Sequence, residues 1–264
     1  MITAGIDCGA RNTKTVIMKD GHIIAKAMVF TGFDQKEAIE RSLARAVEAA
    51  GISEDDLDKI GGTGSGRESI DVAGVMVNDI KAMAKAAFHY FPNSRTVCDM
   101  GAEEGKAARI DENGNPVDFA VNEKCAAGGG AFIETMSRAL EIPLEEIGPL
   151  ALTSKASIPI HAQCVVFLES EVVGLIHAKI SKADISKAIH DAMASRVVSM
   201  IRRIGVNPDV VLMGGMAHNP GFVFALEREM NLDRICIPND PEYGAAIGAA
   251  IGAVESEVRR IDGK

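Results

Sequence analysis

The chain has 264 residues, 47% of them hydrophobic and 25% charged, a composition typical of globular proteins with one large domain or two lobes. Its 28 basic and 37 acidic residues give a formal net charge of −9, and no lysine- or arginine-rich run occurs. These features argue against nucleic-acid and anionic-membrane partners. The opening segment MITAGIDCGA lacks the basic stretch of a secretion signal, so we expect a cytoplasmic protein.

The first third of the chain predicts a strand, a hairpin, a helix and a short strand before a glycine-rich turn. The first strand is apolar and ends in Asp7-Cys8-Gly9, and the hairpin turns at Asp20-Gly21, a dipeptide that favours two-residue turns. Apolar residues at helical spacing predict the helix, and the glycine-rich turn has the sequence GTGSGR. These elements cover residues 2–9, 15–29, 35–51 and 58–67 in chain order.

The same order of elements recurs later in the chain. A second apolar strand ends in Asp99-Met100-Gly101, 92 residues (99 − 7) after the first Asp-x-Gly, and two strands around a turn follow it again. The repeat covers strands at 96–101 and 106–121, helices near 131–141, 165–179 and 184–204, and a strand with a Gly-Gly turn at 209–219. Recurrence of the whole order predicts two similar α/β lobes, residues 1–95 and 96–264, with a cleft between them. This division allows for a C-terminal helix that returns to the first lobe.

The turn after the first Asp-x-Gly, GARNTK, has residue types that suit a phosphate group. Its tightly turning backbone at Gly9 offers N–H donors, and the side chains of Asn12, Thr13 and Lys14 follow directly. Lysine and threonine suit the β- and γ-phosphates, and Asp7 could hold a magnesium ion through water. The alternative is a hairpin with a polar tip. Two such motifs in one chain, together with a Gly-Gly turn, favour nucleotide binding.

This arrangement resembles the ATPase superfamily that includes actin, hexokinase and heat-shock protein 70. Residues 7–14 match its first phosphate motif, Asp99-x-Gly101 matches the second, and residues 213–217 match the adenosine motif. The resemblance implies a duplicated actin-like (ribonuclease H-like) α/β fold that binds ATP and Mg²⁺. It also brings GTGSGR towards the nucleotide, with a plain surface loop as the alternative. The implied nucleotide-binding glycines are Gly9, Gly101, Gly128, Gly129, Gly130, Gly214 and Gly215.

Two of the five cysteines, Cys125 and Cys164, stand directly before predicted helical segments. The positive end of a helix dipole and its free N–H groups favour the thiolate, which is the metal-binding form. Two thiolates are half of a four-cysteine site, so a second subunit would have to supply the other half. Buried free cysteines are one alternative, and a catalytic cysteine beside His161 is another. The remaining cysteines, interpreted as packing residues in apolar stretches, are Cys8, Cys98 and Cys236.

The segment around Cys125, NEKCAAGGGAF, resembles the cluster-ligand segment K-C-A-A-G-[TGA]-G-x-F of the ATP-dependent activators of 2-hydroxyacyl-CoA dehydratases. The second ligand segment of that family, a cysteine followed by [VA]-F-x-E-S-E-V, is matched by CVVFLESEV from Cys164. The resemblance is collinear over almost the whole chain. The same family includes the two ATPase subunits of ATP-dependent benzoyl-CoA reductases. It implies a [4Fe–4S] cluster shared across a dimer interface, with Cys125 and Cys164 as ligands from each chain.

One segment departs from the activators, which usually carry Gly-Gly-Gln-Asp after the second phosphate aspartate. This chain has GAEEG at residues 101–105, a version similar to one benzoyl-CoA reductase ATPase subunit of the Azoarcus type. The catalytic role usually given to the Gln-Asp pair therefore does not transfer one to one. A carboxylate can still orient water or magnesium, so both glutamates are retained as candidates. The candidate catalytic residues are Asp7, Asp99, Glu103 and Glu104.

The resemblance implies a subunit that hydrolyses ATP to drive low-potential electrons from reduced ferredoxin to an acyl-CoA-reducing partner. On the GAEEG segment we favour a benzoyl-CoA reductase ATPase subunit of anaerobic aromatic degradation. The alternative is a homodimeric activator of a 2-hydroxyacyl-CoA dehydratase, and a small metabolite kinase on the same fold comes third. The expected partners are an identical or paralogous ATPase chain, acyl-CoA-binding iron–sulfur subunits and ferredoxin.

Overall fold

The computed structural model describes the backbone of residues 1–122, 129–160 and 165–261. The chain divides into two compact units. The first unit contains Met1–Ser94, Ile110–Val117 and Glu242–Lys264, and the second contains Arg95–Arg109 and Asp118–Pro241. Within the described ranges no helix is both long enough and apolar enough to cross a membrane.

Both units contain strands and helices, and each begins with three consecutive strands. The strands are β1 Ile2–Cys8, β2 Asn12–Lys19, β3 His22–Phe30, β4 Lys59–Thr63, β5 Val75–Met76, β6 Thr96–Met100, β7 Gly105–Ile110, β8 Pro116–Asn122 and β9 Val210–Met213. The helices are α1 Gln35–Ala50, α2 Asp79–Tyr90, α3 Gly130–Ala139, α4 Leu144–Thr153, α5 Val165–His177, α6 Lys182–Arg202, α7 Pro220–Met230 and α8 Gly244–Ile261. The elements predicted from the sequence are confirmed, and α2, α4 and α7 are additional helices that the sequence analysis did not predict.

The first unit is a five-stranded sheet, in the order β3-β2-β1-β4-β5, with helices on both faces. Successive side chains of a strand point to opposite faces. Ala4 and Ile6 of β1 belong to the same buried cluster as Ile39 of α1. A Cβ added at Gly5, between them, would instead meet the backbone of Ala246 in α8. Helices α1 and α8 therefore cover opposite faces of β1.

The second unit is a four-stranded sheet in the order β8-β7-β6-β9, with one large hydrophobic cluster that includes side chains of α3 to α7. Helix α6 supplies the longest row of buried side chains, which recur at the predicted i+4 spacing. Its first turn is capped by Ser181, whose side chain accepts a hydrogen bond from the Asp184 N–H at 3.1 Å. The buried row consists of Ile185, Ile189, Met193, Val197 and Ile201.

The predicted internal duplication is confirmed in the strand order of the two sheets. In each unit the first strand pairs antiparallel with the second and parallel with the fourth: β1 with β2 and β4, and β6 with β7 and β9. The carboxyl end of each first strand carries the Asp-x-Gly motif. Both motifs therefore lie at the edge where a strand, a hairpin and a parallel crossover strand meet, an arrangement that favours ligand sites in α/β proteins.

Candidate functional site: two equivalent candidate phosphate loops

The loop of the first unit is organised by an ion pair between Asp7 and Lys14. The two residues are direct cross-strand neighbours, and Lys14 Nζ lies 2.9 Å from Asp7 Oδ2. Their side chains are only 9% and 16% exposed, so the pair is largely removed from water. Both charges are therefore held at the end of β1, where the chain turns into the hairpin.

The turn itself is closed by backbone and threonine hydrogen bonds. The Gly9 N–H donates to the Asn12 carbonyl at 3.2 Å, and the Thr31 hydroxyl donates to the Gly9 carbonyl at 2.8 Å. Thr13 is fully buried, and its hydroxyl lies 3.0 Å from the Thr31 hydroxyl. This position fits a residue that supports the loop from inside the unit, and the phosphate contact expected for Thr13 stays a prediction.

The GTGSGR segment packs against this loop and is not a detached surface turn. Gly64 has φ +98°, and a Cβ added there would lie 2.5 Å from Asp7 Oδ1 and from the Cys8 carbonyl oxygen. The Gly66 N–H donates to the same Cys8 carbonyl at 2.9 Å. A glycine is therefore required at position 64, both for the backbone conformation and for the close approach to the aspartate.

Asp79, at the first position of α2, anchors this second loop and was missed by the sequence analysis. Its Oδ1 accepts hydrogen bonds from the Thr63 hydroxyl at 2.8 Å and from the Gly64 N–H at 2.9 Å. The sequence did offer one signal for a helix start here, the pair Asn78-Asp79, because asparagine is a favoured N-cap residue. In the structure the Asn78 side chain caps α2. Without a predicted α2, nothing connected this pair to the phosphate loop.

The second unit repeats this geometry around Asp99. Asp99 is the cross-strand neighbour of Lys106, as Asp7 is of Lys14, and the Gly101 N–H donates to the Glu104 carbonyl at 3.0 Å. Lys106 Nζ lies 2.9 Å from Glu104 Oε2. Glu103 is exposed on the same loop. Lys106 was missed by the sequence analysis, although the 92-residue offset between the aspartates leads from Lys14 directly to it.

The Gly-Gly turn after β9 closes over Asp99 as Gly64 closes over Asp7. Gly214 has φ +84°, and a Cβ added there would contact the Met100 carbonyl oxygen and lie 2.5 Å from Asp99 Oδ1. The Gly214 N–H donates to the Pro241 carbonyl at 2.8 Å. An added Cβ at Gly215 would meet open space. The structure thus brings Gly214 against Asp99 of the second Asp-x-Gly motif, and its contact with adenosine stays a prediction.

The end of the glycine run connects the second phosphate loop to α3. The Gly130 N–H donates to the Gly101 carbonyl and the Ala131 N–H to the Ala102 carbonyl, both at 2.9 Å. A Cβ added at Gly129 would collide with the Ala102 carbonyl oxygen. The first N–H groups of α3 are therefore satisfied by the phosphate loop, and the glycine allows this close approach. Three predicted site residues lie outside the described residues: Cys125, Gly128 and Cys164.

Two of the other cysteines are buried packing residues, as predicted, while Cys236 is only partly buried. Cys8 and Cys98 are completely buried, and burial raises the pKa of the Cys98 thiol to about 12. Cys236 forms an isolated bridge with Val211 at the end of the second sheet. In the described residues no group of three or more His, Cys, Asp or Glu side chains is arranged to hold a metal ion. A magnesium ion bound with nucleotide commonly needs only one or two carboxylates, because phosphates and water complete its shell.

Comparison with known proteins identifies relatives over the full length of the chain. A family model described as the BadF/BadG/BcrA/BcrD ATPase family matches residues 4–253. The activator of lactoyl-CoA dehydratase from Anaerotignum propionicum is 36% identical over 260 residues, 98% of this chain and 100% of that protein. A benzoyl-CoA reductase subunit from Thauera aromatica is 31% identical over 268 residues, 97% of this chain and 94% of that protein.

Solved structures confirm the fold prediction. The crystal structure of (R)-2-hydroxyglutaryl-CoA dehydratase component A from Acidaminococcus fermentans matches with a TM-score of 0.93 and 34% identity, covering 98% of this chain and 99% of that one. The activator of 2-hydroxyisocaproyl-CoA dehydratase from Clostridium difficile with bound ADPNP matches with a TM-score of 0.91 and 33% identity, covering 100% and 98%. A Streptomyces griseus ROK family glucokinase, 12% identical with a TM-score of 0.63, shares only the actin-like fold.

Proposed function

The chain belongs to the BadF/BadG/BcrA/BcrD ATPase family, and from this premise we propose that it hydrolyses ATP to activate a 2-hydroxyacyl-CoA dehydratase by electron transfer. The comparisons favour this alternative over the benzoyl-CoA reductase subunit expected from the GAEEG segment. Three dehydratase activators are 33–36% identical to the chain, whereas the benzoyl-CoA reductase subunit from Thauera aromatica is 31% identical. The activator role is therefore the first candidate function.

The observation that carries this proposal is the attachment of α3 to the second phosphate loop. The carbonyls of Gly101 and Ala102 accept the first N–H groups of α3, and Gly129 leaves no side chain between the two segments. A change of the loop with the nucleotide state is therefore transmitted to the start of α3. Cys125 lies five residues before α3 in the sequence, and Cys164 lies one residue before α5.

The donor set of the chain fits the proposed [4Fe–4S] cluster. Such a cluster takes four thiolates, and it would supply one-electron transfer when bound. Cys8 and Cys98 are buried in the cores of their units, which excludes them as shared ligands. Cys125 and Cys164 would then hold the cluster together with the same two residues of a second subunit. Asp7 and Asp99, at the ends of β1 and β6, would hold Mg²⁺ and the attacking water through their carboxylates.

The first test is the metal content and ATPase activity of the anaerobically purified full chain. We expect ATP hydrolysis and about two iron atoms per chain, since four thiolates from two chains hold one cluster. Cys125→Ser should abolish iron binding, while the matched variant Cys236→Ser should retain it. A chain that hydrolyses no ATP would refute the ATPase proposal. Iron binding that survives Cys125→Ser would refute the ligand assignment.

The second test addresses the coupling between nucleotide and α3. Gly129→Val pushes a branched side chain into the Ala102 carbonyl. We therefore expect the variant still to fold but to lose ATP-dependent electron transfer. Gly174→Ala in α5 is the control, because an added Cβ there meets nothing within 4 Å. Unchanged electron transfer in Gly129→Val would contradict the coupling through α3.

A benzoyl-CoA reductase ATPase subunit is the second candidate, on the basis of the GAEEG segment and the match to the Thauera aromatica protein. Proteins that co-purify with the chain under anaerobic conditions separate the two candidates. A homodimer whose ATPase activity supports a dehydratase favours the activator. A stable complex with a paralogous chain and two larger subunits favours the reductase. The two similar ROK family kinase structures do not support the kinase alternative, because similarity at 12–14% identity shows only the fold.

A further inference from the structure

The first unit contains a cavity of about 670 Å³, and all the residues that line it belong to this unit. Helices α2 and α8 and the turn between β7 and β8 form its walls. Thr3, near the start of β1, also lines it, whereas Asp7 lies four residues further along the same strand, about 13 Å away. The cavity is therefore separate from the Asp7 loop, and its volume suits one small organic ligand.

Most of the cavity wall is apolar, and a glycine fixes part of it. Gly114, in the turn between β7 and β8, has φ +70°, and a Cβ added there would lie 2.5 Å from the Phe88 ring. The turn therefore lies directly against Phe88 of α2, which itself lines the cavity. The larger apolar lining residues include Met18, Phe88, Ile251 and Val254. Contact with these side chains removes the apolar surface of a ligand from water, which favours binding.

A buried cation, Lys85 of α2, also lines the cavity. Lys85 is only 8% exposed, and its Nζ lies 2.9 Å from Oε1 of Glu255, whose side chain is 40% exposed. The other oxygen of this carboxylate, Oε2, lies 3.7 Å from Lys81 Nζ. Two lysines thus share one carboxylate. Glu255 therefore keeps a cationic partner when another anion binds Lys85, and no charge is left unpaired.

The other charged groups near the cavity already have partners or are neutral. The Met1 ammonium and Asp20 pair with each other at 2.7 Å. Burial lowers the pKa of His89, so its ring adds no positive charge at neutral pH. Asp111 accepts hydrogen bonds from two N–H groups of its own turn. Lys85 is therefore the group at this cavity that suits an incoming anion.

We propose that this cavity binds a small monocarboxylate with an apolar body, whose carboxylate contacts the Lys85 ammonium while Glu255 keeps Lys81 as its partner. The inference goes beyond the proposed ATPase function and does not depend on it. The charge-assisted hydrogen bond to Lys85 orients the ligand, and the apolar walls supply the rest of the affinity.

Calorimetry of the full chain with octanoate tests the site, and 1-octanol is the neutral probe of the same length. We expect one octanoate site per chain and about tenfold weaker binding of octanol, which lacks the charge-assisted contact. Lys85→Met keeps an apolar side chain of similar length, so octanoate binding should weaken about tenfold while octanol binding stays unchanged. The matched control is Lys187→Met in α6, because Lys187 is 16% exposed and pairs with Asp191 at 2.7 Å in the other unit. The control should bind octanoate as the unmodified chain does.

A second variant, Val254→Trp, fills the cavity from α8 and should abolish binding of both probes, with circular dichroism to verify that the variants are folded. Unchanged octanoate affinity in a folded Lys85→Met variant would overturn the carboxylate contact. Unchanged binding by Val254→Trp, or failure of the unmodified chain to bind octanoate at a single site, would overturn the cavity as a ligand site. Either result leaves the ATPase proposal standing, because ATP hydrolysis is measured without octanoate.

Discussion

The two phosphate loops share one backbone design but distribute their polar contacts differently. In the first unit the lysine is paired with the strand-end Asp7, and a side chain, Asp79, holds the N–H of Gly64. In the second unit the lysine is paired with the more exposed Glu104, and a backbone carbonyl, that of Pro241, holds the N–H of Gly214. The duplication therefore preserved the geometry of the loop, while the group that accepts from the glycine N–H changed from a side chain to a backbone carbonyl.

This difference has a physical reason. Backbone hydrogen bonds and positive-φ glycines depend on chain geometry, so they persist when side chains change. Charges can change partners more easily, provided that every buried charge keeps one. Both lysines are similarly buried, but the carboxylate partner of Lys14 is 9% exposed and that of Lys106 is 35% exposed, and the second unit attaches α3 to the same loop. We therefore expect the two loops to respond differently to the same kind of mutation.

The largest effect is expected where the two loops are alike. Gly64→Ala and Gly214→Ala each force a Cβ onto a left-handed backbone and into an aspartate oxygen 2.5 Å away. Each should lower the free energy of unfolding by about 2–4 kcal/mol, the sum of backbone strain and overpacking. Urea denaturation measures this loss. Gly74→Ala and Gly215→Ala are the controls, since an added Cβ meets nothing within 4 Å at either position. A large loss of stability in only one of the two variants would contradict the structural equivalence of the two loops.

The second prediction concerns the charges in which the loops differ. Asp7→Asn leaves the Lys14 ammonium in a largely buried position without its carboxylate, so stability should fall by about 2 kcal/mol. Glu104→Gln disrupts a more exposed pair and should cost less than about 1 kcal/mol. Asp71→Asn is the control for a fully exposed pair, because Asp71 and Lys36 are 69% and 63% exposed. Equal losses in the two loops, measured by urea denaturation, would contradict the proposed difference.

The smallest predicted effect is a pH dependence that comes mainly from the second unit. Burial lowers the pKa of His190, whose Nδ1 donates to the Ser186 carbonyl at 2.6 Å. The folded state thus resists protonation, while the unfolded state takes up a proton below about pH 6.5. Stability is therefore fully present above that pH and falls by about 1 kcal/mol towards pH 5.5.

The variant His190→Gln removes this titration, so its urea midpoint should change less between pH 7 and pH 5.5 than that of the unmodified chain. His89 in the first unit is a matched comparison, because burial also lowers its pKa but it is less enclosed. His89→Gln should therefore reduce the pH dependence of the urea midpoint less than His190→Gln does. If the pH dependence of the urea midpoint is unchanged in His190→Gln, a group other than His190 causes the loss of stability in acid.

The sequence by itself determined the features that depend on local spacing. Apolar strands ending in Asp-x-Gly, an Asp-Gly turn and the i+4 row of α6 predicted the two duplicated sheets, and the structure confirms them. The segments NEKCAAGGGAF and CVVFLESEV pointed to the family that the comparisons show. Each of these signals lies within a short stretch of chain, where hydrophobic periodicity and turn preferences act.

Only the tertiary structure decided which distant residues meet. Helix α8 follows the second unit in the sequence, yet it packs on β1, where the absence of a side chain at Gly5 allows close approach of Ala246. Asp79 reaches the Gly64 loop from α2, and Gly129 faces the Ala102 carbonyl. These contacts join residues far apart in the sequence, and their spacing leaves no local pattern, because packing and buried hydrogen bonds decide them only once the sheets have formed.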